Sequence, residues 1–243
     1  MARAVSRWRA RWKGLASRAA AVQGRAMRNL LPALLLAAAA IPFPAVAQEE
    51  SPFVGEYVLD VSPDVAGGLL IRADGRFFYG LSAGALDQRA EGRWEAVLDS
   101  ICLTSDPKPV PPTFTKGEPV EVEGAVPTIF VSWPNGRGIA GVDFIISFDE
   151  GPPIEDYTQV YGWTMPEGDK RVPRRIEIFE PIHDISAPPF ELTEADGGRL
   201  RAILTPNDFG VVDLTGTCLD ESREGIVMHR FGGEIPFVRR DDR

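Results

Sequence analysis

The sequence predicts an all-β protein in which a small barrel is combined with a β-sandwich. No window after Gln48 keeps the apolar spacing of a helix, whereas short runs rich in Val, Ile, Phe, Tyr and Thr recur between turn residues. Residues 142–148 alternate between two faces with the period of two that a half-buried strand requires. Asp74-Gly75 and Gly232-Gly233 each separate two such runs and predict tight hairpins.

The first 47 residues predict an export signal. Eight basic residues lie before an uncharged run of 18 residues at 30–47. The run ends in Ala45-Val46-Ala47, a cleavage site of the small-x-small type. Three prolines interrupt that run, so cleavage is favoured over an uncleaved membrane anchor. The expected product starts at Gln48, has no membrane span and is periplasmic or secreted. Met27 offers an alternative start and would shorten the signal to 21 residues.

Removal of the signal makes the protein strongly acidic. The mature chain keeps 18 basic and 35 acidic residues, a net charge of −17. Such a charge repels phosphate backbones and anionic lipid headgroups, which argues against binding to nucleic acid or to a membrane surface. One acidic cluster surrounds residues 151–153 and comprises Asp149, Glu150, Glu155 and Asp156. It lacks the alternating spacing of a calcium loop, so we expect a solvated loop, and no metal or cofactor is predicted.

The two cysteines predict one disulfide. Cys102 and Cys218 both lie in the mature chain, and each follows a short β-like run, so they could meet across a sheet. An exported protein enters an oxidising compartment, where an even number of cysteines favours pairing. The alternative is two buried thiols.

Five strands are predicted in an N-terminal module at residues 48–105. They lie at residues 55–59, 68–72, 76–80, 92–97 and 101–104. A two-residue Asp-Gly turn would pair Ile71 with Phe78 and Arg72 with Phe77. This register places Leu69, Ile71 and Phe78 on the core face, and Arg72, Phe77 and Tyr79 on the other.

The rest of the chain predicts a linker, a sandwich and a second group of strands. Five prolines at residues 106–119 block sheet hydrogen bonding and favour an extended linker. Strands are expected in the sandwich segment 120–205 at 128–133, 139–148, 157–163, 175–179 and 200–204, and in the tail 206–243 at 210–214, 225–231 and 234–239. Five strands before the linker and three in the tail suit an eight-stranded barrel with the sandwich inserted between them. Two consecutive β domains are the alternative.

Two segments resemble known β families. Gly-x-Tyr-x-Leu at 55–59, Asp-Gly-Arg-Phe at 74–77 and Gly-Arg-Trp at 92–94 resemble the lipocalin-like small barrels of exported bacterial proteins. The segment 129–142, with Pro-Asn-Gly at 134–136 between two strands, resembles the transthyretin-like or carboxypeptidase regulatory-type sandwich. Closure of the predicted barrel would place Arg72, Tyr79 and Trp94 near its mouth, which makes them candidate ligand contacts.

One motif matches a catalytic pattern. Residues 80–84 read Gly-x-Ser-x-Gly around Ser82, the pattern of serine hydrolases. That pattern works where a strand turns into a helix, and residues 85–91 are too few for one, so a β-turn is expected. His183 and His229 lack the spacing of a metal site and are expected to be structural.

The expected function is therefore binding rather than catalysis. A non-catalytic exported protein would hold a small apolar molecule in its barrel, or contact another exported protein through a sheet edge. The alternative is a periplasmic hydrolase that uses acidic residues or Ser82. A convergent polar cleft with strained carboxylates would favour the hydrolase, whereas a dry interior or a smooth exterior would favour binding or a structural role.

Overall fold

Eight antiparallel strands close into a barrel, and they come from two distant parts of the chain. The computed structural model describes residues 51–59, 63–230 and 232–240, and the predicted signal at 1–47 lies outside them. All strands named below belong to the unit that begins at Gly55. The barrel strands are β1 (Gly55–Leu59), β2 (Val65–Ile71), β3 (Arg76–Ala83), β4 (Leu86–Val97), β5 (Ser100–Ser105), β14 (Cys218–Glu221), β15 (Gly225–Arg230) and β16 (Gly233–Arg239).

Two seams join the N-terminal strands to the C-terminal strands, which confirms the predicted barrel. Strand β1 pairs with β16, and β5 pairs with β14. At the second seam Cys102 lies directly opposite Cys218, and the predicted disulfide joins them, with their Cα atoms 4.0 Å apart. Disulfides persist in oxidising compartments and are rare in reducing ones.

The hairpin between β2 and β3 differs by one residue from the predicted register. Ile71 lies opposite Phe77 rather than Phe78, because the turn has three residues, 73–75, instead of two. Gly75 adopts the left-handed φ of 81° that ends such a turn. A one-residue slip turns every side chain to the other face of a strand. Phe77 and Tyr79 are therefore buried in the barrel, and Phe78 is only partly buried.

The first of the three C-terminal barrel strands does not lie where the sequence predicted it. Residues 210–214 form no strand beyond one isolated bridge, and β14 at Cys218–Glu221 takes that place in the barrel. Gly210 adopts a left-handed φ of 74°, which interrupts an extended chain. The Leu214 N–H donates to the Ser105 Oγ at 2.8 Å, and the Leu214 side chain is fully buried. The segment thus contributes to the core without joining the sheet.

Two further sheets lie in the segment between β5 and β14. The three-stranded sheet has the order β6-β13-β7, and the five-stranded sheet has the order β11-β10-β8-β9 with β12 also paired to β10. Their strands are β6 (Thr113–Gly117), β7 (Ile129–Ser132), β8 (Asp143–Phe148), β9 (Ile154–Tyr157), β10 (Pro173–Glu180), β11 (Ile185–Ser186), β12 (Phe190–Glu191) and β13 (Leu200–Thr205), and a short 3₁₀ helix spans Glu194–Asp196.

The two sheets bury one shared core, as a sandwich requires. The three-stranded sheet contributes Ile129 and Leu200 to this core, and the five-stranded sheet contributes Phe144, Ile146 and Ile176. Successive side chains of a strand point to opposite faces. The alternate positions of β8 and β10 therefore point away from the core, on the outer face of the five-stranded sheet.

Two parts of the inserted segment differ in detail from the prediction. The predicted linker at 106–119 contains β6, which pairs with β13. Its prolines fall on either side of residues 113–117, so the backbone N–H groups of that stretch remain available for pairing. The predicted strand at 157–163 is instead a turn that follows β9. There Gly162 adopts a left-handed φ of 88° and donates its N–H to the Gln159 carbonyl at 2.9 Å.

Replacement of both cysteines is expected to destabilise the protein. The disulfide joins residues 116 positions apart. Loss of a crosslink over so long a loop lets the unfolded chain gain entropy and costs about 2–5 kcal/mol. We expect the Cys102→Ser/Cys218→Ser variant to unfold at a lower urea concentration than the oxidised wild type. A reductant should lower the midpoint of the wild type and leave that of the variant unchanged. Equal midpoints for the variant and the oxidised wild type would contradict a stabilising bond.

Candidate functional site

The three candidate ligand contacts of the barrel lie in two different environments. Tyr79 points into the barrel and is 4% exposed. Arg72 is exposed and forms an ion pair with Asp74, with Nη2 and Oδ2 3.0 Å apart. The partly buried Trp94 donates its indole N–H to the Arg72 carbonyl oxygen at 2.9 Å. Trp94 and Arg72 therefore meet at the β2–β3 turn, whereas Tyr79 belongs to the interior.

Large side chains occupy the interior of the barrel. An eight-stranded barrel is just wide enough for its own side chains to fill. Tyr57, Leu69, Phe77, Ile101 and Met228 come from different strands and are all fully or almost fully buried. The interior of the described barrel is therefore a packed core.

The buried Tyr79 brings a hydroxyl group into this core, near the partly buried Arg230. Burial raises the pKa of the Tyr79 hydroxyl, and the nearby positive charge of Arg230 opposes that rise. Burial lowers the pKa of Arg230, and the negative charge of Asp213 opposes that fall. Tyr79 is therefore a neutral hydroxyl at physiological pH, available as a hydrogen-bonding group and not as a base.

Ser82 lies in a β-hairpin and not in a strand-to-helix turn. It belongs to β3, which turns at Gly84, with a left-handed φ of 58°, directly into β4. The Ser82 hydroxyl donates to the Asp87 Oδ1 at 2.6 Å, so its partner is a carboxylate and not an imidazole. A nucleophile elbow needs the backbone N–H groups of a helix start to stabilise the oxyanion, and this hairpin supplies no helix.

Both histidines contact carboxylates. The His183 Nδ1 lies 3.2 Å from the Oε2 of the buried Glu180, which also accepts the His183 backbone N–H at 2.8 Å. The His229 Nε2 lies 2.7 Å from the Asp220 Oδ2, and Ser100 donates its hydroxyl to the Asp220 Oδ1 at 2.5 Å. The hydrogen bond from Ser100 is the largest cause that lowers the pKa of Asp220, and the bond with His229 is the next. In a serine hydrolase the imidazole lies between the hydroxyl and the acid. Here the acid lies in the middle, which does not activate the serine.

A groove lies on the outer face of the five-stranded sheet, away from the sandwich core. Its volume is about 540 Å³, within the range typical of small-molecule sites. Alternate side chains of β8, β9 and β10 line it, and we call this set the groove face: Asp143, Ile145, Glu155, Tyr157, Glu177 and Phe179.

The first row of the groove face places a carboxylate between two aromatic rings. Asp143 on β8 lies opposite Tyr157 on β9 and opposite Phe179 on β10. Directly opposite residues on one face of a sheet have Cβ atoms about 4.5–5.5 Å apart. Both rings are accessible, because Tyr157 is 53% and Phe179 is 37% exposed.

The second row places an apolar side chain between two carboxylates. Ile145 is 36% exposed and lies opposite Glu155 on β9 and Glu177 on β10. The Glu177 Oε1 is 3.3 Å from the Arg175 Nη2, an ion pair at the border of the groove. Within the described ranges Asp143 and Glu155 form no ion pair, so the groove face carries an excess of negative charge.

Asp156 occupies one backbone hydrogen-bond donor at the free edge of β9. Strand β9 is the last strand on its side of the sheet. The Asp156 Oδ1 accepts the backbone N–H of Tyr157 at 2.8 Å, and its Oδ2 accepts the indole N–H of Trp163 at 2.9 Å. The Trp163 ring packs edge-on against Phe144, with ring centroids 5.1 Å apart. An occupied donor and a carboxylate at an edge disfavour the addition of a strand from another chain.

Sequence reasoning missed the groove face, although one signal was visible. The alternation in β8 put Asp143, Ile145 and Ser147 on its outward side, where Ile145 is an apolar exception. The strand predicted at 157–163 hid the pairing of Tyr157 with Asp143. Of the acidic cluster around residues 151–153, Glu155 belongs to the groove face, and Asp156 also lines the groove.

Neither a metal cluster nor a membrane-spanning helix occurs in the part of the chain that the structure describes. There, no three His, Cys, Asp or Glu side chains are placed to hold one metal ion. The helical content of the same residues includes no segment long and apolar enough to cross a bilayer.

Ser82 is expected to be unreactive. A serine-directed fluorophosphonate should not label the wild-type protein, because the Ser82 hydroxyl bonds to Asp87 and has no oxyanion donors beside it. The Ser82→Ala variant should match the wild type in gel-based labelling and in background esterase activity. Labelling that is present in the wild type and lost in Ser82→Ala would show that the hydroxyl is a nucleophile.

Comparison with known proteins leaves the chain without a match. No family model, curated protein or solved structure matches it. The resemblance to lipocalin-like barrels and to the transthyretin-like sandwich therefore stays a prediction.

Proposed function

We propose that the protein is an exported binding module without catalytic activity, and that its groove face binds a small, positively charged ligand with an apolar part. The proposed location is the periplasm or the extracellular space. The disulfide between Cys102 and Cys218 and the predicted signal at residues 1–47 support that location.

The observation that carries this proposal is the clustered exposure of apolar side chains. Ile145, Tyr157 and Phe179 line one groove and stay in contact with solvent, whereas Phe144 and Ile146 on the opposite face of the same sheet are buried. Burial of apolar surface stabilises a protein by about 25 cal/mol per Å², and surface left in water does not contribute this free energy. Clustered apolar surface with a polar rim is typical of binding sites.

The charges of the groove face favour a cationic ligand. Asp143 supplies a negative charge between the rings of Tyr157 and Phe179. The faces of aromatic rings also attract cations, because their quadrupole is negative there. An anionic ligand would instead meet carboxylates on β8, β9 and β10.

The groove replaces the barrel interior as the proposed site. Tyr57, Phe77 and Met228 fill the centre of the barrel. Among the barrel candidates, Arg72 is paired with Asp74, and its carbonyl oxygen is bonded to Trp94. A small apolar molecule would therefore compete with the protein's own core.

Binding fits the groove better than hydrolysis does. A glycosidase uses two carboxyl groups, one of which is kept protonated by a buried, apolar environment. Asp143 and Glu155 are both exposed to water, so neither lies in such an environment. The hydrolase alternative through Ser82 lies on the barrel and has Asp87 as its partner.

Removal of either aromatic ring is expected to weaken the binding of a simple organic cation. Benzyltrimethylammonium, titrated by saturation-transfer difference NMR, should bind the purified wild-type protein. Tyr157→Ala and Phe179→Ala should each raise its Kd by about two- to fivefold, the effect of one exposed cation–π contact.

Tyr161→Ala is the matched control for this titration. Tyr161 is 52% exposed, almost the same as Tyr157, but it lies in the turn after β9 and does not line the groove. Its replacement should leave the Kd unchanged. An absence of binding in the wild type, or an equal loss in all three variants, would contradict the proposed site.

A further inference from the structure

The carboxylates of the groove face form a spaced triangle. Asp143 is the diagonal neighbour of both Glu155 and Glu177, because its direct partners are Tyr157 and Phe179. Diagonal neighbours in an antiparallel sheet are about 7–8 Å apart. Glu155 and Glu177 are separated by two strand spacings, about 9–10 Å.

The three carboxylates of the groove face are not placed to hold one metal ion. A calcium ion holds its oxygen ligands at about 2.3–2.6 Å. Among the residues that the structure describes, no three His, Cys, Asp or Glu side chains are placed to hold one such ion, and these three carboxylates are no exception. Several separate positive charges on one molecule would match the triangle better.

The groove offers an apolar path between the carboxylates. Ile145 lies between Glu155 and Glu177, and the rings of Tyr157 and Phe179 flank Asp143. Each of these apolar groups is at least 36% exposed. A ligand with charged groups joined by short methylene chains would place its charges at the acids and its methylenes on the exposed apolar surface.

We propose that the groove face binds a linear polyamine. One ammonium group lies at Asp143 between the two rings, a second lies at Glu155, and the third lies towards Glu177. The intervening methylenes cover Ile145. The inference rests on the proposed function of the same groove and adds to it the class of ligand.

Asp143 and Glu155 are the stronger partners for an ammonium group, because an ion pair at the border of the groove already involves Glu177. Arg175 pairs with Glu177 at 3.3 Å and also lies 3.5 Å from the Glu191 carboxylate. The charge of Glu177 is therefore partly balanced within the protein. Asp143 and Glu155 have no such ion pair among the described residues, so a bound ammonium would supply the missing counter-charge.

The structure favours a small molecule over a peptide strand. A peptide that added a strand next to β9 would need the free edge of that strand. The Tyr157 N–H at that edge already donates to Asp156. The groove volume of about 540 Å³ is also that of a small-molecule site.

Isothermal titration calorimetry with three amines tests the inference. Putrescine, spermidine and spermine carry two, three and four ammonium groups and would be titrated into the purified protein at constant ionic strength. We expect spermidine to bind about two- to fivefold more tightly than putrescine, the gain of one exposed ion pair. Asp143→Asn and Glu155→Gln should each weaken the binding of spermidine by about the same factor.

Glu95→Gln controls for diffuse attraction to an acidic protein. Glu95 is exposed on β4 of the barrel, outside the groove, and its replacement changes the net charge by the same amount. It should not change the affinity for spermidine. An equal loss in Glu95→Gln and in the groove variants would overturn the inference, because the attraction would then be non-specific.

Further outcomes separate this inference from the proposed function. If benzyltrimethylammonium binds in the groove but spermidine binds no more tightly than putrescine, the polyamine assignment alone is overturned. A lysine-rich peptide that binds more tightly than spermine and depends on Asp143 would also overturn it, in favour of a peptide ligand. Failure of every cationic probe to bind would overturn both.

Discussion

Closure of the barrel between β5 and β14 is the constraint on which the rest of the structure depends. At this seam Cys102 and Cys218 lie opposite one another and are covalently joined. The seam brings both ends of the inserted segment to neighbouring strands, so the segment leaves and rejoins the barrel at one place. Its strands then complete their own hydrogen bonding in two sheets that bury a shared core. The barrel interior is filled, and the insert carries the accessible groove.

The site follows from the two-faced nature of a sheet. Pairing of β8 with β9 and β10 buries Phe144, Ile146 and Ile176 on one side and fixes which side chains meet on the other. A sheet face in water normally carries polar residues. On this face Ile145 and two aromatic rings alternate with carboxylates instead. The proposed binding of a cation with an apolar part would account for this pattern.

The features that depend on local patterns could be predicted from the sequence. The features that depend on the details of strand pairing could not. Period-two runs and turn residues identified the five N-terminal strands, and the two cysteines identified the seam. The register predicted for the β2–β3 hairpin was wrong because Gly75 ends a three-residue turn, which the Asp-Gly pair alone does not distinguish from a two-residue turn. The groove face could not be assembled from the sequence. Its carboxylates and rings become neighbours only through the pairing of three strands.

Amide chemical-shift mapping tests the central claim most directly. A ¹⁵N-labelled sample of the purified protein would be titrated with spermidine and compared with the same titration in NaCl of equal ionic strength. The account predicts shifts concentrated on β8 (Asp143–Phe148), β9 (Ile154–Tyr157) and β10 (Pro173–Glu180), with the barrel strands unaffected. Shifts spread over acidic residues of the whole surface, or concentrated in the barrel, would contradict the groove face as the binding site.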